Sequence, residues 1–242
     1  MSEIRAMAHV AIYDTVERLL DGASGHLLDV PAGEGALAQR LIAKGFEVEG
    51  CDLYPELFKL NVPIAGGDLD KRLPYDDGNF DIVVCVEGLE HIYNPSNAIA
   101  EFARVLKPGG RLIASVPNIM NIEERLKWLL YGSTSHFPPL SNENLARFRA
   151  AAPHHEEAAL HVNPIGYPEL RFLLERNGFA IRSANVDKVK RNMWVYLPLV
   201  WPIRLIGRVM SSAKRDRMWI DDLNSGPVLM GGNTLILDAV KQ

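Results

Sequence analysis

The sequence predicts an α/β domain with a doubly wound, mostly parallel sheet, and three observations carry that prediction. Short β-rich runs alternate with segments of helical periodicity along the first half of the chain, the pattern of right-handed βαβ units whose sheet is covered on both faces. At 27–35, LLDVPAGEG, an apolar run ends in an acid and passes into small residues, as a strand does when it feeds a ligand-binding turn. The 242 residues are 48% hydrophobic, enough for one full core, which predicts a single domain over 1–242.

The opening stretch places Ile4, Met7, Val10, Ala11, Val16 and Leu19 at roughly helical spacing, predicting a covering helix within 1–24. Charges run through it, so it lacks the uninterrupted apolar core of a signal peptide. In the core at 25–118, strands fall at 26–30, 46–52, 80–86 and 111–116, with a weaker one at 62–66. Helices fall at 36–44, 55–60 and 96–106, and LKPGGR at 106–111 reads as a helix stop and tight turn before the next strand. Residues 119–165 hold one helix, IEERLKWLLYG, and then a polar stretch that reads as a lid over an acceptor. A further helix ends at Gly178, a strand FAIRSANV follows, and the last strand is NTLILDAV at 233–240.

The net charge of −4 offers no overall field that would attract nucleic acid. Residues 188–217 stand apart. Lys188, Lys190, Arg191, Arg204, Arg208, Lys214, Arg215 and Arg217 oppose only Asp216, giving +7 here and −11 elsewhere. The apolar run inside this segment is interrupted by Pro198, Pro202, Arg204 and Arg208, too often for a simple bilayer-spanning helix. Cys51 and Cys85 each sit in an apolar run, as buried thiols of a reducing compartment do, which predicts a cytoplasmic protein.

The turn after the first strand predicts free backbone N–H donors, with Gly33 and Gly35 removing β-carbons that would hold a ligand away. Gly33, Gly35 and Ala38 also satisfy G-x-G-x-x-A, and Asp52 suits a ribose, so a nicotinamide dinucleotide is one reading. Asp29 separates the readings. A pyrophosphate is repelled by a carboxylate beside it, whereas a ligand bearing an ammonium and a sulfonium is attracted.

With Asp29 in place, the sequence resembles the class I S-adenosylmethionine-dependent methyltransferases. LLDVPAGEGALAQRL resembles the first motif of that family and VEGCDLYPE the second. GDLDKRLPYDDGNFDIVVCVEGLEHI and AIAEFARVLKPGGRLIASVPN match the stretches that follow, so the likeness covers about 25–118. It implies a Rossmann-like sheet of seven strands with the last antiparallel, and S-adenosylmethionine as cofactor. It assigns Asp29 and the Pro31 and Gly33 backbone to the methionine end, with Gly35 keeping the approach open. Asp52, with Leu53 beside it, would take the ribose hydroxyls, and Asp68 the adenine amine, with Leu69 near the ring.

EGLEH places Glu87, Glu90 and His91 at i, i+3 and i+4, on one side of a helical turn, with Glu87 at the cofactor pocket. The segment is similar to the E-x-x-E-H of ubiquinone-biosynthesis O-methyltransferases, which implies a divalent metal near the reaction centre. The spacing serves equally in packing, so no metal ligand is assigned. His91 is the first candidate base. His161 is the second, because HVNPIGYPELRFLLERNGF resembles the segment whose leading histidine lies near the acceptor. His136, His154 and His155 read as surface histidines.

The family joins its last two strands by a short hairpin, whereas this chain inserts a basic, aromatic segment at 187–227. Trp194, Tyr196, Trp201, Leu205 and Ile206 flanked by cations suit an element lying on an anionic membrane. A homodimer interface or packing on the domain are the other readings. The function read from the sequence is methyl transfer to an oxygen of a small-molecule or lipid-linked acceptor, a quinone precursor or a saccharide, by a cytoplasmic protein peripheral to the membrane. A non-catalytic cofactor-binding scaffold and a nicotinamide-dependent oxidoreductase are the alternatives.

Overall fold

A computed structural model of the chain describes residues 4–151, 160–190 and 192–242. Its first half runs α1 (Val10–Leu19), β1 (His26–Asp29), α2 (Ala36–Ala43), β2 (Glu47–Asp52), β3 (Ile64–Gly66), β4 (Phe80–Cys85), α3 (Pro95–Val105) and β5 (Leu106–Pro117). The second half runs α4 (Ile122–Tyr131), α5 (Asn142–Ala151), α6 (Tyr167–Arg176) and β6 (Phe179–Val186). The insertion then folds as α7 (Leu197–Val209), α8 (Ser212–Arg217), α9 (Ile220–Leu223) and α10 (Gly226–Met230) before β7 (Thr234–Lys241).

The strands form one seven-stranded sheet in the order β3-β2-β1-β4-β5-β7-β6, with β7 antiparallel to both neighbours. This is the Rossmann-like arrangement predicted from the sequence. Strand order reverses between β1 and β4, which opens a crevice at the carboxyl ends of those strands. Asp29 and Asp52 end their strands at that edge. The period of two along each strand builds two cores: Leu28, Val83 and Leu112 face one side with α3 and α6, while Leu27, Val84 and Ile113 face the other with α1 and α2.

Local chemistry sets the helix ends. Asn94 accepts from the Asn97 N–H to start α3, and Pro95 takes the first position, where a missing N–H costs nothing. Asn121 caps α4 in the same way, and Gly132 ends it in the left-handed region at φ 68°.

Three expectations need correction. LKPGGR lies inside β5 rather than before it: Phe80 pairs with Leu106 and Ile82 with Arg111, so 107–110 loop out and Gly109 turns at φ 76°. The helix expected at 55–60 is a single 3₁₀ turn, Pro55–Leu57, because the extended Phe58 and then Leu60 reach across to the ligand turn. The region 119–165 holds a second helix, α5, besides α4.

The insertion is anchored by a small core of its own, in which Met193, Val200 and Leu229 pack on Ile122 of α4. Tyr196 packs against this cluster instead of standing on the surface with its neighbours. Trp194 and Trp201 remain 68% and 69% exposed, with Leu205, Ile206 and Val209 alongside. Among the described residues no helix is long and apolar enough to cross a membrane.

The antiparallel seam between β5 and β7 is braced by a buried ion pair. Arg111 on β5 donates to both carboxylate oxygens of Asp238 on β7, at 3.2 and 3.0 Å, and to the Leu19 carbonyl at the end of α1. Asp238→Ala leaves that guanidinium without its charge partner, and urea unfolding is expected to show a loss of about 3–5 kcal/mol. A loss below about 1 kcal/mol, the range of exposed pairs, would mean that the seam does not depend on it.

Candidate cofactor and acceptor site

Asp29 is 1% exposed, and its Oδ2 has no hydrogen-bond partner. Burial first, and the neighbouring charge of Asp52 second, push its pKa from an ordinary 3.8 to about 8, against support from the Ala38 N–H. The end of β1 therefore holds a carboxyl that stays protonated at neutral pH until a cation arrives.

The turn after it differs from expectation in an informative way. Its N–H groups are largely consumed within the protein: Val30 donates to the Val84 carbonyl, Ala32 to that of Cys51, Gly33 to Asp52 Oδ2 at 2.7 Å, and Gly35 to Ala32. A pyrophosphate would find these donors spent, which removes the basis of the dinucleotide reading. Gly33 and Gly35 both turn at positive φ, 52° and 94°. At Gly35 a Cβ would lie 2.9 Å from the Phe58 ring and 3.0 Å from Leu60, so packing, not ligand approach, requires that glycine. At Gly33 a Cβ would meet the Met7 side chain at 3.0 Å, because the segment before α1 crosses the turn and the Arg5 N–H donates to Glu34. Pro31 packs over Gly88, where a Cβ would come within 2.6 Å of the proline ring.

Asp52 accepts from Gly33 through Oδ2 and from the Tyr54 N–H through Oδ1, leaving a second lone pair on each oxygen for ligand hydroxyls. Asp68 accepts from the Asp70 N–H and pairs with Lys71 at 3.0 Å. Burial works against its ionisation, yet these contacts hold its pKa below the ordinary carboxylate value. Leu69, expected near the adenine, is buried among the core side chains, and Leu53 is exposed at this edge.

On the other side of the crevice Glu87 occupies the left-handed region at φ 51°, an unusual position for a residue with a side chain. Its N–H donates to Ser115 Oγ at 2.9 Å, Ser115 donates back to Glu87 Oε1 at 3.1 Å, and Thr234 adds a further bond. Glu87 thus precedes the 3₁₀ turn Leu89–His91 and does not share its face with Glu90 and His91. The groups brought together are Glu90, His91 and His161, each with one potential ligand atom within 4.8 Å of the others.

The Glu90 carbonyl draws the chain at 160–163 inward by accepting from Val162 and Asn163. Its carboxyl is fully buried with both oxygens unpartnered, and burial, then the charge of Glu87, raises its pKa well above the ordinary value. His91 Nδ1 sits 3.1 Å from the Leu160 carbonyl and His161 Nδ1 2.9 Å from that of His136. Donation from each Nδ1 leaves a lone pair on each Nε2. Burial, then the neighbouring His161, lowers the His91 pKa to about 4, and burial lowers that of His161, so both rings are neutral at pH 7. One carboxyl and two neutral imidazoles fit a divalent cation, and each imidazole also fits a proton acceptor.

Several contributors escaped the sequence reading. Tyr13 on α1 is close enough to Asp29 and Glu87 that, after burial, their charges raise its pKa. Ser115 and Thr234 are single hydroxyls in apolar strands, and Gly88 is an isolated glycine, so none has a spacing that marks it. His136 is half-buried with an unpartnered Nε2, not a surface residue. His154, His155 and Arg191 lie outside the described residues.

The chain matches the model of a methyltransferase domain over residues 4–184. It belongs to that methyltransferase-domain family. In family and fold this methyltransferase is of the class I, S-adenosylmethionine-dependent kind. It is 36% identical over 116 residues to a ubiquinone biosynthesis O-methyltransferase of Xanthomonas oryzae pv. oryzae, covering 43% of this chain and 48% of that one. A methyltransferase of Mycobacterium tuberculosis strain H37Rv, itself uncharacterised, is 36% identical over 121 residues, 48% of each chain. The match thus spans about half the length of these curated relatives. A solved S-adenosylmethionine-dependent methyltransferase of Archaeoglobus fulgidus superposes with a TM-score of 0.56 at 14% identity, over 97% of this chain and 95% of that one.

The methyltransferase site fits its cofactor where a test is available: the orphaned oxygen of Asp29 matches an ammonium group, and the open lone pairs of Asp52 match a ribose diol. The pH dependence follows. Because the raised pKa of Asp29 keeps a proton that the unfolded chain releases, ionisation erodes stability as pH rises from 3.8 towards about 8. S-adenosylhomocysteine, whose ammonium needs the carboxylate, is expected to bind with proton release and with affinity rising to about pH 8. Calorimetry in buffers of different ionisation enthalpy measures this, and Asp29→Asn should abolish the proton release. Pro31→Gly is expected to preserve binding, since only the carbonyl is needed, whereas Gly33→Val abolishes it; equal loss in both would contradict this division.

Proposed function

We propose that the chain transfers a methyl group to an oxygen of a small-molecule or lipid-linked acceptor at the cytoplasmic face of an anionic membrane. The observation that carries the reading is the buried carboxyl of Asp29, its Oδ2 unpartnered, beside a turn whose donors are already used, a site matched to a cation rather than to a phosphate. S-adenosylmethionine supplies a methyl group activated on a sulfonium. Asp29 and the Pro31 carbonyl hold its ammonium end, Asp52 its ribose, and Asp68 its adenine amine with Leu53 against the ring.

On the acceptor side, His91 and His161 are neutral and keep Nε2 lone pairs, so either takes the hydroxyl proton. The acceptor oxygen forms its bond to the methyl carbon as the carbon–sulfur bond breaks, and that electron pair stays on sulfur. A divalent cation would be held by Glu90 and those same Nε2 lone pairs, in place of the proton. The O-methyltransferase named among the relatives supports oxygen as the acceptor atom. The exposed Trp194, Trp201, Ile206 and Val209 beside the exposed Arg208, Lys214 and Arg217 support membrane contact, where each base adds about 1 kcal/mol.

Incubation with methyl-labelled cofactor and a cell extract is expected to give a labelled product, with His91→Ala and His161→Ala together lowering the rate by about 10²-fold or more. A product labelled equally fast by the double variant would remove both histidines from the chemistry. In flotation on phosphatidylglycerol vesicles the chain is expected to rise with the lipid, and Trp194→Ser with Trp201→Ser to return it to the soluble fraction. If the unaltered chain stays soluble and sediments as a dimer, the α7 face is a subunit interface instead.

A further inference from the structure

A cavity of about 510 Å³ opens next to the site, away from the cofactor turn. Glu123, Glu124 and Lys127 of α4, Ser135 and His136 beyond it, and Lys190 line it, and Asn233 closes it from the start of β7. Asn233 adjoins Thr234, the residue bonded to Glu87, while the His136 carbonyl receives His161 Nδ1. The cavity therefore borders both halves of the acceptor side. All of its lining residues are polar or charged.

The lining is held in place before any ligand arrives. Lys127 donates to Glu123 at 2.6 Å, Glu124 at 2.9 Å and Ser135 at 2.7 Å, and Lys190 donates to Glu123 at 2.7 Å. Glu124, almost wholly buried, also accepts from the Ser135 N–H. Among the described lining residues two lysines and two glutamates cancel, leaving no surplus positive charge there to clamp a phosphate or carboxylate. An apolar ring or prenyl chain would strip water from these groups and return no hydrogen bonds. A ligand whose hydroxyls both donate and accept satisfies them.

We propose that this cavity is the acceptor subsite for a polyhydroxylated, saccharide-like group whose hydroxyls bond to the lysine and glutamate side chains that line it. The assignment rests on the methyl-transfer reading above, and it separates the acceptor from the aromatic rings of quinone precursors. The same hydroxyl chemistry is offered by a saccharide on a lipid carrier and by a free or nucleotide-linked sugar.

The test uses the full chain, methyl-labelled S-adenosylmethionine and a whole extract of its source cells, separated into lipid and aqueous phases before acid hydrolysis, which methyl ethers survive. Label is expected among O-methyl monosaccharides; label among methoxy-aromatic products overturns the proposal, as does label in neither while S-adenosylhomocysteine still binds. Label in the lipid phase before hydrolysis identifies the lipid-linked source, and label in the aqueous phase the free or nucleotide-linked one. Failure of S-adenosylhomocysteine to bind at all would instead sink the methyl-transfer reading. Ser135→Ala and Lys190→Met are each expected to raise the KM for the acceptor about 10-fold with cofactor affinity unchanged, the mark of lost hydrogen bonds to an acceptor. An unchanged KM, or an equal loss of S-adenosylhomocysteine affinity, would place the subsite elsewhere.

Discussion

The bond from the Gly33 N–H to Asp52 Oδ2 is the constraint on which the site depends. It ties the turn after β1 to the end of β2, so that the two acids at the sheet edge, Asp29 and Asp52, keep a fixed relation. Burial, and then the nearby charge of Asp52, disfavour ionisation of Asp29, which keeps its proton. A cationic ligand relieves that repulsion. The same bond removes a backbone donor that a phosphate ligand would require, so one contact both builds the pocket and selects against the commonest alternative cofactor of such folds.

Much of this half was legible in the sequence. Strand periodicity placed β1, β2 and β4 within a residue or two, because each alternates between two cores and cannot slip without exposing one of them. The acids at strand ends were equally visible, since their positions follow from the strands. What was not legible depended on contacts between distant segments. Gly35 looked like a ligand-facing glycine, but Phe58 and Leu60 occupy the space beside it. The i, i+3, i+4 spacing of EGLEH suggested a helical face, but the left-handed Glu87 breaks the register, and His161 from a remote segment joins Glu90 and His91 instead.

The second half was harder to read for a related reason. The insertion is built of short helices, and its α7 packs on α4 and α10 rather than on the sheet, so hydrophobic spacing alone does not say which face is covered. Tyr196 looked like part of an exposed aromatic row until Met193 and Val200 turned inward with it. The charged residues of α4 were no more informative as a string, because Glu123, Glu124 and Lys127 look like an ordinary solvated helix surface. Only when Lys190 arrives from the insertion and Ser135 folds back do they become the wall of a cavity.

The antiparallel β7 has a topological effect. Val186 at the end of β6 pairs with Leu235 near the start of β7, so the insertion leaves the sheet and rejoins it at one edge, the edge where Glu87 meets Thr234. Residues added or removed between those two strands alter what stands over the acceptor without disturbing the registers of β1, β2 and β4. The fold separates its inheritance accordingly: one half can remain fixed around a common cofactor while the other diversifies, and new specificity can arise from a change in the length of a single connection.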